Sequence, residues 1–295
     1  MTTTRASFTT RARTWLLLAA LTALFIGIGA ALGGGALWIF VAFSIFMNVA
    51  AYWLSDRFAI RASRAQPVSE EQAPELYKIV RELSERYQLP MPRVYMIPSE
   101  QPNAFATGRN AKHAAVAVTQ GLMSLMPEDQ IRGVLAHEFG HIRNRDILVS
   151  SVAAMIAGAI SAIGNIFLWT SLFGGGGDDD DSPLGGIAAL LIILIAPIAA
   201  ALLQLGVSRQ REYLADATAA RVLGEGKPLA DALATLERAS QTAPPMQVNP
   251  ATASLYIIHP FRGAGVSNLF NTHPPLSERI RRLQEYDAAQ GIHYG

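Results

Sequence analysis

Apolar residues along this chain gather into four long runs. Trp15 to Leu32, Ala36 to Leu54, Ile147 to Phe173 and Leu184 to Val207 are each close to or above the roughly 18–20 residues a helix needs to cross a bilayer. Gly33, Gly34 and Gly35 separate the first two runs and predict a tight helical hairpin. The first run is too long and uncharged for a signal-peptide core and lacks a convincing cleavage site. The third carries Ser150, Ser151, Ser161, Asn165 and many small residues. That pattern suits helix packing inside a membrane, although a buried soluble helix would read similarly.

Between and after the runs the period changes. In 73–88, Leu76, Ile79, Val80, Leu83 and Tyr87 recur at helical spacing. "RVYMI" reads as a strand, as do "NAFATG" and "AAVAVT", the last two joined by the turn "RNAKH". "MPEDQIRGVLAHEFGH" opens a helix at Pro127 with acids in its first turn. Residues 208–295 read as helices: "REYLADATAARVLG" with Gly224 as its stop, "PLADALATLERAS" and "PLSERIRRLQEY". The pattern divides the chain into an N-terminal membrane hairpin (1–56), a small α+β unit (57–146), a second membrane hairpin (147–207) and a helical part (208–295).

Composition agrees with membrane spans: 51% of residues are hydrophobic, 16% are charged and mean hydropathy is +0.24. A formal net charge of +1 provides no basic field for nucleic acid. The absence of cysteine excludes disulfides, thiolate metal sites and cysteine nucleophiles. Orientation follows from the bases. Arg5, Arg11, Arg13, Arg57, Arg61, Arg64, Arg143, Arg145, Arg209 and Arg211 flank one side of the spans, whereas "GGGGDDDDSP" has no basic residue. The expected topology is multi-pass in the cell (inner) membrane, with 57–146 and 208–295 in the cytoplasm and the Gly/Asp loop outside.

"HEFGH" is the H-E-x-x-H pattern. On a helix, positions i and i+4 share a face, so His137 and His141 can hold one zinc ion. Glu138 is one step round, placed to act on water at the metal as general base and acid. A catalytic zinc of this kind takes a third protein ligand. No third histidine follows at the metzincin spacing. "REYLAD" supplies Glu212 and Asp216, four apart on one helix face. His141 lies about six residues before the third run and Glu212 about five after the fourth. At about 1.5 Å per residue both stand within roughly 10 Å of the same membrane surface. One carboxylate can ligate while the other accepts the second N–H of a ligand histidine, or, for Asp216, simply pairs with a nearby arginine; spacing does not choose between them.

The segments "NAFATG", "LAHEFGHIRNRD", "SRQREYLADATAA" and "FNTHPPLSERIRRL" occur in this order around the four runs. Together they resemble the HtpX family of membrane-bound zinc metalloproteases, relatives of the CAAX prenyl proteases, over nearly the whole chain. The resemblance implies a mainly α membrane protein: four transmembrane helices and a cytoplasmic α+β zincin-like (gluzincin) catalytic domain with a small β-sheet. It implies His137, His141 and Glu212 as ligands of one Zn2+, Asp216 behind them and Glu138 as acid/base. The family's role implies protein substrates, namely misfolded membrane proteins cut from the cytoplasmic side in quality control and stress. His273 and Arg279 are implied as oxyanion donors, although Pro274-Pro275 could equally mark a plain helix start. Asn103, Ala104, Phe105 and Ala106 are implied as a strand that pairs with substrate. The Gly/Asp-rich loop at 174–181 is where the chain departs from the family.

His113, His259 and His293 read as surface or packing residues. A non-catalytic scaffold would be expected to have lost one of His137, Glu138, His141 or Glu212, and all four are present. A zinc transporter would carry ionisable residues inside its spans; the runs hold only uncharged polar groups such as Asn165 and Gln204.

Overall fold

A computed structural model describes residues 35–158, 209–242 and 274–292, with Gly33, Thr252, residues 255–257 and parts of 12–30. Helix α1 (Ala36–Ala62) is the one described helix long and apolar enough to cross a membrane. Helical residues between 12 and 30 fold back on it. Asn48 Nδ2 donates to Thr22 Oγ1 at 2.7 Å, and the Phe25 and Phe43 rings meet edge-on at 4.9 Å. A Cβ at Gly29 would come 2.8 Å from Phe40 Cβ, so the two backbones need a glycine to approach this closely. Gly33 turns with φ +69°, as the hairpin requires.

Helix α1 does not stop where its apolar stretch stops. It runs on past Leu54 to Ala62 because Ser55, Asp56, Ala59 and Ile60 are buried, the last two in an apolar cluster with Ile97, Phe105, Ala115 and Ala117 of the sheet. Arg64, with φ +55°, then turns the chain.

The sheet is small and mixed. Strands β1 (Gln66–Pro67), β2 (Arg93–Ile97), β3 (Ala104–Gly108) and β4 (Ala114–Thr119) lie in the order β1-β2-β4-β3. β2 and β4 are parallel; β1 on β2 and β3 on β4 are antiparallel. β3 and β4 follow the expected segments, joined by a turn with a short 3-10 helix over Ala111–His113, where His113 is exposed.

Helix α2 (Pro74–Tyr87) buries the five apolar positions its period predicts. Helix α3 (Gln120–Leu125) is short, capped by the Thr119 hydroxyl, which accepts from Leu122 N–H at 3.1 Å. Helix α4 (Glu128–Asn144) is buried almost all round, which makes it the central helix of the domain. Helix α5 (Ile147–Gly158) is the first part of the third apolar run; residues 159–208, including the fourth run and the 174–181 loop, lie outside the described residues. Helices α6 (Arg209–Leu223), α7 (Lys227–Thr242) and α8 (Leu276–Ala289) complete the domain, and Gly224 ends α6 with φ +88°.

Two glycines let neighbours close onto α4. A Cβ at Gly133 would lie 2.6 Å from the Leu229 nitrogen of α7, and one at Gly140 3.0 Å from the Ala215 carbonyl of α6. Tyr87 O–H donates to Ala136 C=O at 2.6 Å, which pins α2 one residue before His137.

Candidate metal centre

His137, Glu138 and His141 project from α4, Glu212 and Asp216 from α6 and Arg279 from α8. His137 Nε2 and His141 Nε2 are 3.1 Å apart; they lie 3.6 and 3.4 Å from the Glu212 carboxylate oxygens. One donor atom from each residue falls within 4.8 Å of the others. Three ligands at about 2.0–2.2 Å from a tetrahedral zinc would stand roughly 3.3–3.5 Å apart. Two imidazoles and a carboxylate at this spacing therefore fit such an ion.

Each histidine has its other nitrogen on a carboxylate. His137 Nδ1 is 2.8 Å from Asp216 Oδ1, and His141 Nδ1 is 3.4 Å from Asp146 Oδ2. A carboxylate accepts the Nδ1 proton and leaves the Nε2 lone pair facing the shared point. Asp146 stands in the same "HIRNRD" segment as His141, at a spacing that announces no contact with it. α4 ends there with Arg145 left-handed at φ 63°, and Asp146 N–H then donates to His141 C=O at 2.9 Å. That reversal brings the Asp146 side chain under His141.

Arg279 is fully buried behind this shell. Its Nε and Nη2 donate to the two Asp216 oxygens at 2.9 and 2.7 Å, Nη2 is 3.2 Å from His137 Nδ1, and Nη1 is 3.6 Å from Glu212 Oε2. Two of its three nitrogens, Nε and Nη2, are thus engaged with Asp216 and His137. His273 lies outside the described residues.

Glu138 is buried and accepts the Ala106 N–H at 2.7 Å. Burial pushes its carboxyl up to about 7, with Glu212 adding to the rise and His141 opposing it. Burial, then Arg279, lower His137 to about 4 against the pull of Asp216. For His141 burial disfavours the charge, but Asp146 and Glu212 outweigh it and raise the group to about 10. Burial likewise works against the Asp216 anion, and Arg279 overrides it and holds the pKa down.

Asn103, Ala104, Phe105 and Ala106 are all buried. They lie at the edge of the sheet, and the outer side of β3 is engaged in this structure. Ala104 C=O accepts from Ile257 N–H at 3.2 Å, Ala106 N–H goes to Glu138, and Gly108 N–H goes to Ser151 Oγ at 3.3 Å. The Tyr256 ring meets the Phe105 ring edge-on at 5.1 Å.

Comparison with known proteins gives this geometry its context. The sequence profile of Peptidase family M48 matches residues 70–287, which hold every described residue of the site. A protein named Protease HtpX homolog from Pelotomaculum thermopropionicum is 53% identical over 274 residues, 92% of this chain and 97% of its own. Another of that name from Thermococcus kodakarensis is 48% identical over 283 residues, 96% and 98% of the two chains. Among solved structures, S. mikatae Ste24p matches with a TM-score of 0.51 at 22% identity, over 95% of this chain and 67% of that one, which shows a shared fold. Matched over most of its length by the profile and by relatives at about half identity, the chain belongs to peptidase family M48 and is a metalloprotease.

Proposed function

We propose that this protein is a zinc-dependent endopeptidase embedded in the cell inner membrane, cutting misfolded or damaged membrane proteins from the cytoplasmic side. The observation that carries the reading is the three-donor cluster of His137, His141 and Glu212, with Glu138 beside it. Four spans, with 57–146 and 208–295 facing the cytoplasm, follow from the apolar runs and the placement of the bases.

His137, His141 and Glu212 hold the ion in this reading. When bound, zinc supplies a Lewis acid and lowers the pKa of water toward about 7. Glu138, buried beside the donor cluster, takes the proton of the attacking water and returns it to the leaving amine in this reading. Asp216 and Asp146 fix the two imidazoles, and Arg279 holds Asp216 in place; in this reading Arg279 and His273 also donate to the oxyanion. The stretch Asn103–Ala106 aligns the substrate chain along the β3 edge in this reading, which requires Ile257 and Glu138 to release Ala104 C=O and Ala106 N–H to the substrate backbone.

Cleavage of an unfolded protein by the purified, membrane-extracted enzyme tests this. Activity should vanish with a chelator and return with zinc; Glu138→Gln should keep the metal and lose cleavage. Chelator-resistant cleavage, or a Glu138→Gln enzyme cutting at the normal rate, would refute the proposal.

A further inference from the structure

The sheet beside the site is fastened to the end of the apolar stretch of α1. Ala36 to Leu54 carries no charge, and Trp38, Ile39, Phe43, Phe46, Val49 and Trp53 are exposed along it. At about 1.5 Å per residue this stretch spans roughly 28 Å, close to the thickness of a hydrocarbon core. Polarity then changes abruptly: Asp56 and Arg57 follow, and Trp53 stands at the rim with Tyr52 edge-on to it at 5.5 Å. Aromatic rings at this position mark the headgroup level.

Two contacts fasten the sheet to that rim. The Arg109 guanidinium sits over the Trp53 ring, 4.7 Å from its centre, and Arg93 Nη2 donates to Asp56 Oδ2 at 2.7 Å. Arg109 immediately follows β3, and β3 holds the Glu138 carboxylate through Ala106 N–H. From Ala106 to Arg109 is about 10 Å of strand. A third tie, Thr107 Oγ1 to Ser151 Oγ at 2.7 Å, keeps this part of β3 on α5.

We infer that the enzyme selects its scissile bond by distance from the bilayer and cuts the juxtamembrane segment of a membrane-protein substrate. A chain leaving the headgroup level in extended form covers about 3.3 Å per residue, so it reaches Glu138 within roughly three to eight residues of its span. Bonds farther out reach the site only if the chain folds back. The inference rests on the proposed membrane placement of α1 and the proposed role of Glu138.

The test uses the full-length enzyme and a single-span substrate reconstituted together in lipid vesicles. The substrate carries, on its cytoplasmic side, about forty residues of one repeated flexible motif, so local sequence is the same at every repeat. Mass spectrometry maps the cleaved bonds. They should cluster within about eight residues of the span, and keep that distance from it when further repeats are added at the far end of the segment. Cuts scattered along the repeats, or cuts that keep their distance from the free end when the segment is lengthened, overturn the inference. In a second arm, Arg93→Ala with Arg109→Ala should keep metal content and cleavage of a soluble unfolded protein while the cut sites spread. A distribution as sharp as that of the parent enzyme would show that these contacts do not set the height. Loss of all cleavage by the parent enzyme, on tethered and soluble substrates alike, would sink the protease reading on which the inference stands.

Discussion

Arg279 and Asp216 show what holding a buried ligand shell demands of single residues. The guanidinium has no exposed surface and its two bonds to Asp216 are 2.9 and 2.7 Å. Removing one partner of such a pair leaves a buried charge alone, at about 3–5 kcal/mol, whereas replacing both with packed groups can be nearly neutral. Asp216→Ala should therefore lower the thermal midpoint of the metal-free protein strongly, and Asp216→Ala with Arg279→Met should recover part of the loss. Asp216→Ala should also weaken zinc binding by about 10–100-fold, because His137 loses its Nδ1 partner. A thermal scan and a zinc titration of the three proteins check this; equal stability of the single and double variants would deny the coupling. At this scale the sequence reveals side chains whose spacing is helical, which covers His137, Glu138, His141, Glu212 and Asp216. It does not reveal Asp146, because its approach to His141 depends on a left-handed arginine at a helix end, a conformation that no residue preference announces. Nor does it reveal the partner of Arg279, since three helices distant in sequence must meet before that pairing exists.

The helices meet closely because α4 carries glycine where α6 and α7 cross it. At Gly133 an added methyl would collide with the backbone of α7 at 2.6 Å, and backbone cannot swing aside as a side chain can. Gly133→Ala should cost about 1–3 kcal/mol by forcing α7 away. At Gly140 the nearest atom is the Ala215 carbonyl at 3.0 Å, so a methyl would shift α6 by only tenths of an ångström. Gly140→Ala should leave the fold standing and act on the metal instead, because Glu212 rides on α6. Circular dichroism melts and zinc affinities of the two variants separate these outcomes; a stable Gly133→Ala protein would contradict the packing described here. Most long elements were legible from periodicity, which survives wherever one helix face is buried. The two-residue β1, with Pro67 in it, and the short α3 were not, since neither is long enough to show a period. The end of α1 was not either: hydropathy records where an apolar stretch ends, and a helix continues while tertiary packing still rewards it.

Across the whole molecule, the described parts join one long apolar helix to a domain whose three candidate metal donors stand on two helices separated in sequence by residues 145–208. A membrane hairpin in that interval would return α6 to the surface from which α4 departs, so the loop at 174–181 should lie outside the cell membrane. A reporter fused within that loop should give a periplasmic or extracellular signal, and a cytoplasmic signal would remove the hairpin from the account. If His137, His141 and Glu212 together hold one zinc ion that cleavage requires, metal and activity must leave together. Metal analysis of the purified full-length protein, beside Glu212→Ala, decides this. About one zinc per chain is expected in the parent protein, with metal and cleavage lost together in the variant, because a three-ligand site reduced to two loses most of its hold. A Glu212→Ala protein that keeps its zinc and its activity would rule this ligand set out.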